Sequence, residues 1–272
     1  MKFTILGSTG FIGSNLLRYY VSKGIECDVI DLRHEPIPTH SLGHVLYAIG
    51  IPNFKEHPFD AVESHVCLLQ KFLEKANFDS FLYLDSTRIY QNSIKTTEDS
   101  SIIVNPTNLD HLYNISKIMG ESICFASSKP NVRIARLSNV TGNAFTSNLF
   151  LPTILRAAVD KGKISIRSSL NSEKDYVYID DVAKIIQDIC LRGKENIYNV
   201  ASGKNTKTNE IIDKLVNITH CSVEVAENSM EYSFPTISIE KIKNEFNFKP
   251  ISILDKIDSI VSDYKKFKYE KN

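Results

Sequence analysis

The sequence has no surplus of charge, no paired cysteines and no long apolar run, and each absence removes a class of function. Lysine plus arginine and aspartate plus glutamate both number 32, a formal net charge of zero. That balance excludes a general nucleic-acid or anionic-membrane surface, so any anionic ligand must be held by a local site. The five cysteines, Cys27, Cys67, Cys124, Cys190 and Cys221, include no C-x-x-C pair. An odd, scattered set predicts reduced thiols and a cytoplasmic protein. No apolar stretch approaches the roughly 18 residues of a membrane span, and the chain starts on a strand-like run rather than a charged leader, so a soluble protein is expected. His34, His40 and His44 lie close together, but in a proline-containing loop without cysteine partners or an i, i+4 helical pair, so no metal is expected. At 272 residues the chain can form one large domain, or a cofactor domain with a smaller lobe.

The strongest positive signal is the first stretch. Lys2 to Leu6 is an apolar run of strand type, Gly7, Gly10 and Gly13 follow, and the apolar positions then take helical spacing at Phe11, Ile12, Leu16 and Leu17. This predicts strand, turn and helix. Gly7 suits the tight turn, Gly10 lets the backbone approach a pyrophosphate, and Gly13 lets the helix pack on the sheet. The free N–H groups of that helix would face the phosphates. A second run, Cys27 to Ile30, ends in Asp31, about 20 residues beyond the glycines, where a dinucleotide-binding unit hydrogen-bonds the adenosine ribose. The candidate cofactor residues are Gly7, Thr9, Gly10, Phe11, Ile12, Gly13, Asp31, Leu32 and Arg33, with Tyr47, Ala48 and Ile49 at the end of the third strand. Asp31 would repel a 2′-phosphate and Arg33 would partly offset that repulsion, so NAD(H) is expected ahead of NADP(H).

Between Asp31 and the apolar run His44 to Ile49, Pro36 and Pro38 disfavour a helix, and the segment is too short for a strand plus a crossover. The expected sheet therefore lacks the usual edge strand and runs 2-1-3-4-5-6, counting its strands along the chain. Phe59 to Ala76 reads as an amphipathic helix with Val62, Val66, Leu69, Phe72 and Leu73 on one face. Phe81 to Leu84 is a buried strand opening into D-S-T-R-I-Y-Q at 85–91, followed by a polar loop and a helix over Asp110 to Ser127. On that helix Tyr113 and Lys117 stand at i and i+4, which predicts an ammonium near the phenol. A free tyrosine has a pKa near 10, so acid–base work at neutral pH needs a shift of roughly 3 units, or about 4 kcal/mol. A fixed lysine and a cationic nicotinamide would supply much of it.

Together these residues resemble the extended short-chain dehydrogenase/reductase family, the epimerase and dehydratase branch that modifies nucleotide-activated sugars. Gly7-x-x-Gly10-x-x-Gly13, the serine-bearing strand end at 85–91 and Tyr113-x-x-x-Lys117 carry the resemblance. So do Arg136-Leu-Ser-Asn139-Val-Thr-Gly142, Lys174-Asp175-Tyr176-Val177 and Asn196-Ile-Tyr-Asn-Val-Ala-Ser-Gly203. The resemblance implies an α/β fold, a Rossmann-type doubly wound parallel sheet with a small carboxyl-terminal substrate lobe. Residues 1–145, with 176–200 returning, would form the dinucleotide-binding domain, and residues 146–175 and 201–272 the lobe. It also implies a catalytic set of Ser86, Tyr113 and Lys117, in which Lys117 holds the nicotinamide ribose and tunes Tyr113. The substrate set is Ser86, Thr87, Arg88, Tyr113, Asn139, Asn148 and Lys174, facing a nucleotide-diphosphate sugar, and the helices of residues 59–76 and 110–127 would form a homodimer contact.

Departures from the family pattern narrow the chemistry. Lys174 stands where arginine is usual and loses the bidentate fork. Thr87-Arg88 replaces the Asp-Glu of the dehydratases, and arginine cannot act as acid or base at neutral pH, so loss of water is disfavoured. The same arginine replaces the cysteine of enzymes that also epimerise at C3 and C5. His65 occupies a usual asparagine position. What remains is hydride transfer at one carbon: a 4-ketoreductase, favoured by the short chain, or a 4-epimerase. A non-catalytic cofactor-binding protein has no reason to keep Ser86, Tyr113 and Lys117.

Overall fold

The computed structural model describes residues 1–51 and 53–270. Six strands form a parallel central sheet: β1 (Lys2–Leu6), β2 (Glu26–Ile30), β3 (His44–Tyr47), β4 (Ser80–Ser86), β5 (Val132–Leu137) and, after three outlying strands, β9 (Ile197–Val200). Their order is β2-β1-β3-β4-β5-β9, the expected one once β9 is counted as the sixth strand of this sheet. Residues 32–43 add no strand to it; Ser41 makes a single bridge to Asn77. Leu6 is level with both Ile30 and Tyr47, so the first three strands end together at one edge, where parallel sheets bind ligands.

Apolar runs on both sides of each central strand require cover on both faces. The Phe11–Ser22 and Ile179–Arg192 helices pack together on one face, burying Leu16, Tyr20, Ile185 and Ile189. The Leu112–Ala126 helix and the helical run from Pro58 to Lys75 cover the other, over Leu69, Phe72, Phe81 and Tyr83.

That run differs from the expected straight amphipathic helix. It is α-helical at Pro58–Val62, a π-turn at Glu63–Cys67, and α-helical again at Leu68–Lys75. The wider turn shifts the buried face, so that His65 is fully buried while Val62 and Val66 are only half-buried. The following helix also starts later than expected. Asn108 caps a 3₁₀ turn at Leu109–His111 by accepting from Asp110 N, and the α-helix begins at Leu112.

The outlying strands make two small sheets. β6 (Asn139–Thr141) and β10 (Asn205–Lys207) flank β8 (Glu173–Tyr178), and β7 (Lys163–Ser168) pairs with β11 (Ser222–Met230). β6 follows β5 almost directly: Ser138 N still donates to Val200 O of β9, and Asn139 then begins β6 beside Tyr176 of β8. Among the described residues no helix is long and apolar enough to cross a membrane, and no group of three His, Cys, Asp or Glu could hold a metal ion.

Candidate active site

Two of the three glycines in the turn are required by packing within the protein. Gly7 has φ +83°, and a Cβ there would stand 2.7 Å from the Ala48 carbonyl oxygen. A Cβ on Gly13 would collide with Gly7 O. Gly10 is different, because a Cβ there would meet only Gly7 O, at 3.4 Å. Packing within the protein does not demand a glycine at position 10. Its bare backbone, exposed at the head of the Phe11–Ser22 helix, fits the close approach of a pyrophosphate.

A cleft of about 470 Å³ opens from this turn and is lined by Gly7, Thr9, Gly10, Asp31, Leu32, Arg33, Ala48 and Ile49. Arg33 forks onto Asp31, donating from Nε to Oδ1 at 2.9 Å and from Nη2 to Oδ2 at 2.8 Å. That contact holds the Asp31 carboxyl down at about 2. Tyr47 is a correction: it does not line the cleft. Its ring is fully buried against Phe72, Phe81 and Tyr83, and its hydroxyl donates to Ser64 O. Gly50, expected to close the third strand, lines the cleft, and so do Ser8, Ile51 and Ser64, which were not among the expected residues.

Beyond it, Ser86 ends β4 and accepts from Arg88 N at 3.2 Å, capping the 3₁₀ turn Thr87–Tyr90. Tyr113 faces it from the first turn of the Leu112–Ala126 helix. Its ring is bounded by Phe54 at 5.4 Å, by the edge of His65 at 5.4 Å and by the Arg88 guanidinium at 5.8 Å. His65 is held neutral, pushed down to about 2 by burial and by the Lys117 charge. Its Nε2 accepts from Ile51 N, so Nδ1 carries the proton and donates to Ser116 Oγ, which donates to Tyr113 O. The π-turn therefore fixes the backbone that carries Tyr113. Gly120 permits the approach, since a Cβ there would lie 2.8 Å from His65 O.

Burial and the nearby Asp85 raise the Tyr113 pKa, against smaller opposing effects of the Ser86 hydroxyl and the Arg88 charge. The phenol is therefore protonated at neutral pH. Lys117 departs from expectation: its ammonium donates to Leu84 O at 2.9 Å and lies 4.7 Å from the Tyr83 ring. Its charge acts on His65, Asp85 and Glu121, while the side chains acting on the Tyr113 phenol are Asp85, Ser86 and Arg88.

Two adjoining cavities meet at Ser86 and Tyr113. One, of about 300 Å³, also touches Phe11, Ile12, Asn139 and Lys174. The other, of about 220 Å³, is lined by Thr87, Arg88, Asn139 and Lys174 with Phe54 and Phe234. Asn139 donates to Asp175 O at 2.8 Å. The Asp175 carboxylate is turned away, accepting from Ser138 Oγ, Ser202 N and Lys204 N, so it does not neutralise Lys174. Asn148 is a second correction, because it is exposed and lines neither cavity. Its neighbours Leu149 and Phe150, where the helix starts, line them instead. Phe54, Phe234 and Asp85 are additions that sequence patterns did not single out.

A family model described as the NAD dependent epimerase/dehydratase family matches residues 44–201. A dTDP-D-glucose 4,6-dehydratase of Dictyostelium discoideum is 24% identical over 278 residues, 80% of this chain, which spans only 62% of that protein. The GDP-6-deoxy-D-mannose reductase of Pseudomonas aeruginosa is 22% identical over 297 residues, 97% of each chain. The solved structure of MoeE5 in complex with UDP-glucose and NAD superposes with a TM-score of 0.82 at 14% identity, over 99% of this chain and 100% of that one.

Proposed function

The chain belongs to the NAD-dependent epimerase/dehydratase family, and from that premise we propose that it is a 4-ketoreductase, delivering hydride to one carbon of a nucleotide-diphosphate sugar. The observation that carries this reading is Tyr113, held protonated beside Ser86 where the two cavities meet. Reduction of a ketone needs a proton donor at the carbonyl oxygen, and a raised phenol is one at neutral pH. When bound, the reduced nicotinamide supplies the hydride. Ser86 hydrogen-bonds the sugar oxygen, Tyr113 gives it a proton, and Lys117 holds the nicotinamide ribose. A second reading, the 4-epimerase, is favoured by the unpaired Arg88 discussed below. Incubation with 4-keto and with 4-hydroxy nucleotide sugars, following absorbance of the reduced nicotinamide, tests both. A reductase consumes cofactor, an epimerase interconverts sugars without net consumption, and a protein that does neither refutes the proposal.

The cofactor is NAD(H), with NADP(H) second. Asp31 accepts from both ribose hydroxyls when Arg33 moves aside, and its charge opposes a 2′-phosphate. NADH is expected to bind more tightly in a fluorescence titration, and a preference of about tenfold for NADPH would overturn this assignment. Arg33→Ala should widen the NADH preference, because it removes the cation that lines the cleft beside Asp31 and could accept the 2′-phosphate.

Lys174 holds the substrate diphosphate, with Asn139 beside it. Burial and the Arg88 charge lower the Lys174 pKa, and no carboxylate pairs with it among the described residues, so a dianion is a favourable partner. Lys174→Ala should raise KM by the equivalent of about 1.5–3 kcal/mol, the worth of a charged hydrogen bond, without changing cofactor affinity. Lys174→Arg restores the fork and should retain or tighten binding. An unchanged KM for the alanine variant at low and high salt would place the diphosphate elsewhere.

A further inference from the structure

Arg88 stands beside the reacting atoms without a counter-ion. Its guanidinium lies 5.1 Å from the Phe54 ring and 5.8 Å from the Tyr113 ring, and its Nε is buried with no hydrogen-bond partner. Among the described residues no carboxylate pairs with it. Asp110 feels its charge, but that carboxylate is already paired with Lys55. Lys174 lines the same cavity and carries a second positive charge, and the polar groups lining the remainder are neutral: Ser86, Thr87, Ser138 and Asn139, with the Tyr113 phenol.

Two unpaired cations in one partly dry pocket repel each other and forgo hydration, a cost that a ligand of opposite charge offsets. One of them, Lys174, is assigned to the diphosphate. Arg88 cannot serve as acid or base, and it stacks on the very ring whose hydroxyl meets the reacting oxygen. Whatever it grips is therefore attached close to the reacting carbon. A planar guanidinium whose Nη groups make no hydrogen bond among the described residues suits a planar, two-oxygen anion.

We infer that Arg88 binds a carboxylate on the sugar, next to the reacting carbon, so that the substrate is a nucleotide-diphosphate sugar acid of the hexuronate class. This rests on the nucleotide-sugar reading above. It also bears on the choice between reductase and epimerase. A 4-ketone beside that carboxylate is a β-keto acid, which loses carbon dioxide in water. Such a substrate suits the cycle in which the ketone never leaves the site, that of the epimerase.

Calorimetric titration of the protein saturated with NADH tests this, because the reduced cofactor prevents oxidation of a 4-hydroxy sugar. The probes are UDP, UDP-glucose and UDP-glucuronate, with the matching GDP-mannose and thymidine-diphosphate-glucose series. In the nucleotide series that binds, the hexuronate should bind roughly ten- to hundredfold more tightly than the neutral hexose. Arg88→Gln should erase that ratio while leaving affinity for the bare diphosphate and for NADH unchanged, and Arg88→Lys should keep part of it. Equal affinity of wild type for hexose and hexuronate would overturn the inference. So would an Arg88→Gln variant that weakens bare diphosphate by the same factor, since that places Arg88 on the diphosphate. If no nucleotide diphosphate binds in any series, the nucleotide-sugar reading itself falls, a result distinct from a lost hexuronate preference.

Discussion

Replacement of Tyr113 by phenylalanine is expected to slow turnover roughly 10²- to 10⁴-fold, the usual cost of losing a general acid, and to leave cofactor affinity nearly unchanged. The ring stays in place against Phe54, His65 and Arg88, so packing is conserved and only the proton donor is lost. Burial, joined by the Asp85 charge once that acid ionises, holds that proton on the phenol. Reduction should therefore keep its rate through neutral pH and fall only in the alkaline range, as Tyr113 gives up its proton. Lys117→Ala is expected to behave differently, losing activity and cofactor affinity together. Steady-state rates combined with a cofactor titration separate the two variants. Retention of more than half of wild-type activity by the phenylalanine variant would make Tyr113 a packing residue.

The strand–glycine–helix unit, Asp31 and the missing edge strand were legible because each follows from local rules of spacing, proline content and chain length. The π-turn was not. A helical period assumed uniform from residue 59 onward puts Val66 inward, whereas one widened turn puts His65 there instead. Asn148 entered the substrate set through the family resemblance, as the residue just before a helix. The helix starts two residues later, and that offset leaves Asn148 in solvent. Tyr47 failed for a related reason: alternation along β3 sends its ring into the core while the adjacent Ala48 lines the cleft. Phe54 and Phe234 lie far apart in sequence and reach Arg88 and Lys174 only through the tertiary fold. No spacing rule links them. Lys117 was correctly placed on the Tyr113 helix face, yet a nearby backbone acceptor, Leu84 O, holds its ammonium.

Arg136→Leu is expected to destabilise the protein by about 3–5 kcal/mol, because it strands a buried carboxylate. Arg136 is 4% exposed and grips Glu121 with two hydrogen bonds of 2.7 Å. Its third arm donates to Tyr90 Oη and Glu98 O, tying β5 to the turn after β4. Next to Glu121 lies Asp85, both of whose carboxyl oxygens are buried without a donor in reach. Two adjacent carboxyls with one bidentate arginine between them cannot both ionise. Arg136 keeps Glu121 ionised, and burial together with the Glu121 charge raises Asp85, so the proton rests on Asp85 despite the Lys117 and Arg136 charges.

The pH dependence follows from those directions. Asp85, raised on folding, contributes stability that is fully present below its unfolded value of about 3.9 and is lost as pH rises through its folded value. Glu121, lowered on folding, contributes stability present above about 4.3 and lost as pH falls through its folded value. Asp85→Asn is a neutral isostere of the protonated acid and leaves the Arg136–Glu121 pair intact. Relative to wild type it should gain stability steadily as pH rises, with the two curves closest in acid. Urea unfolding of wild type, Asp85→Asn and Arg136→Leu across a pH series measures all three. An asparagine variant that is destabilised at neutral and alkaline pH and regains wild-type stability in acid would show that Asp85 is ionised and paired, most directly with Lys117.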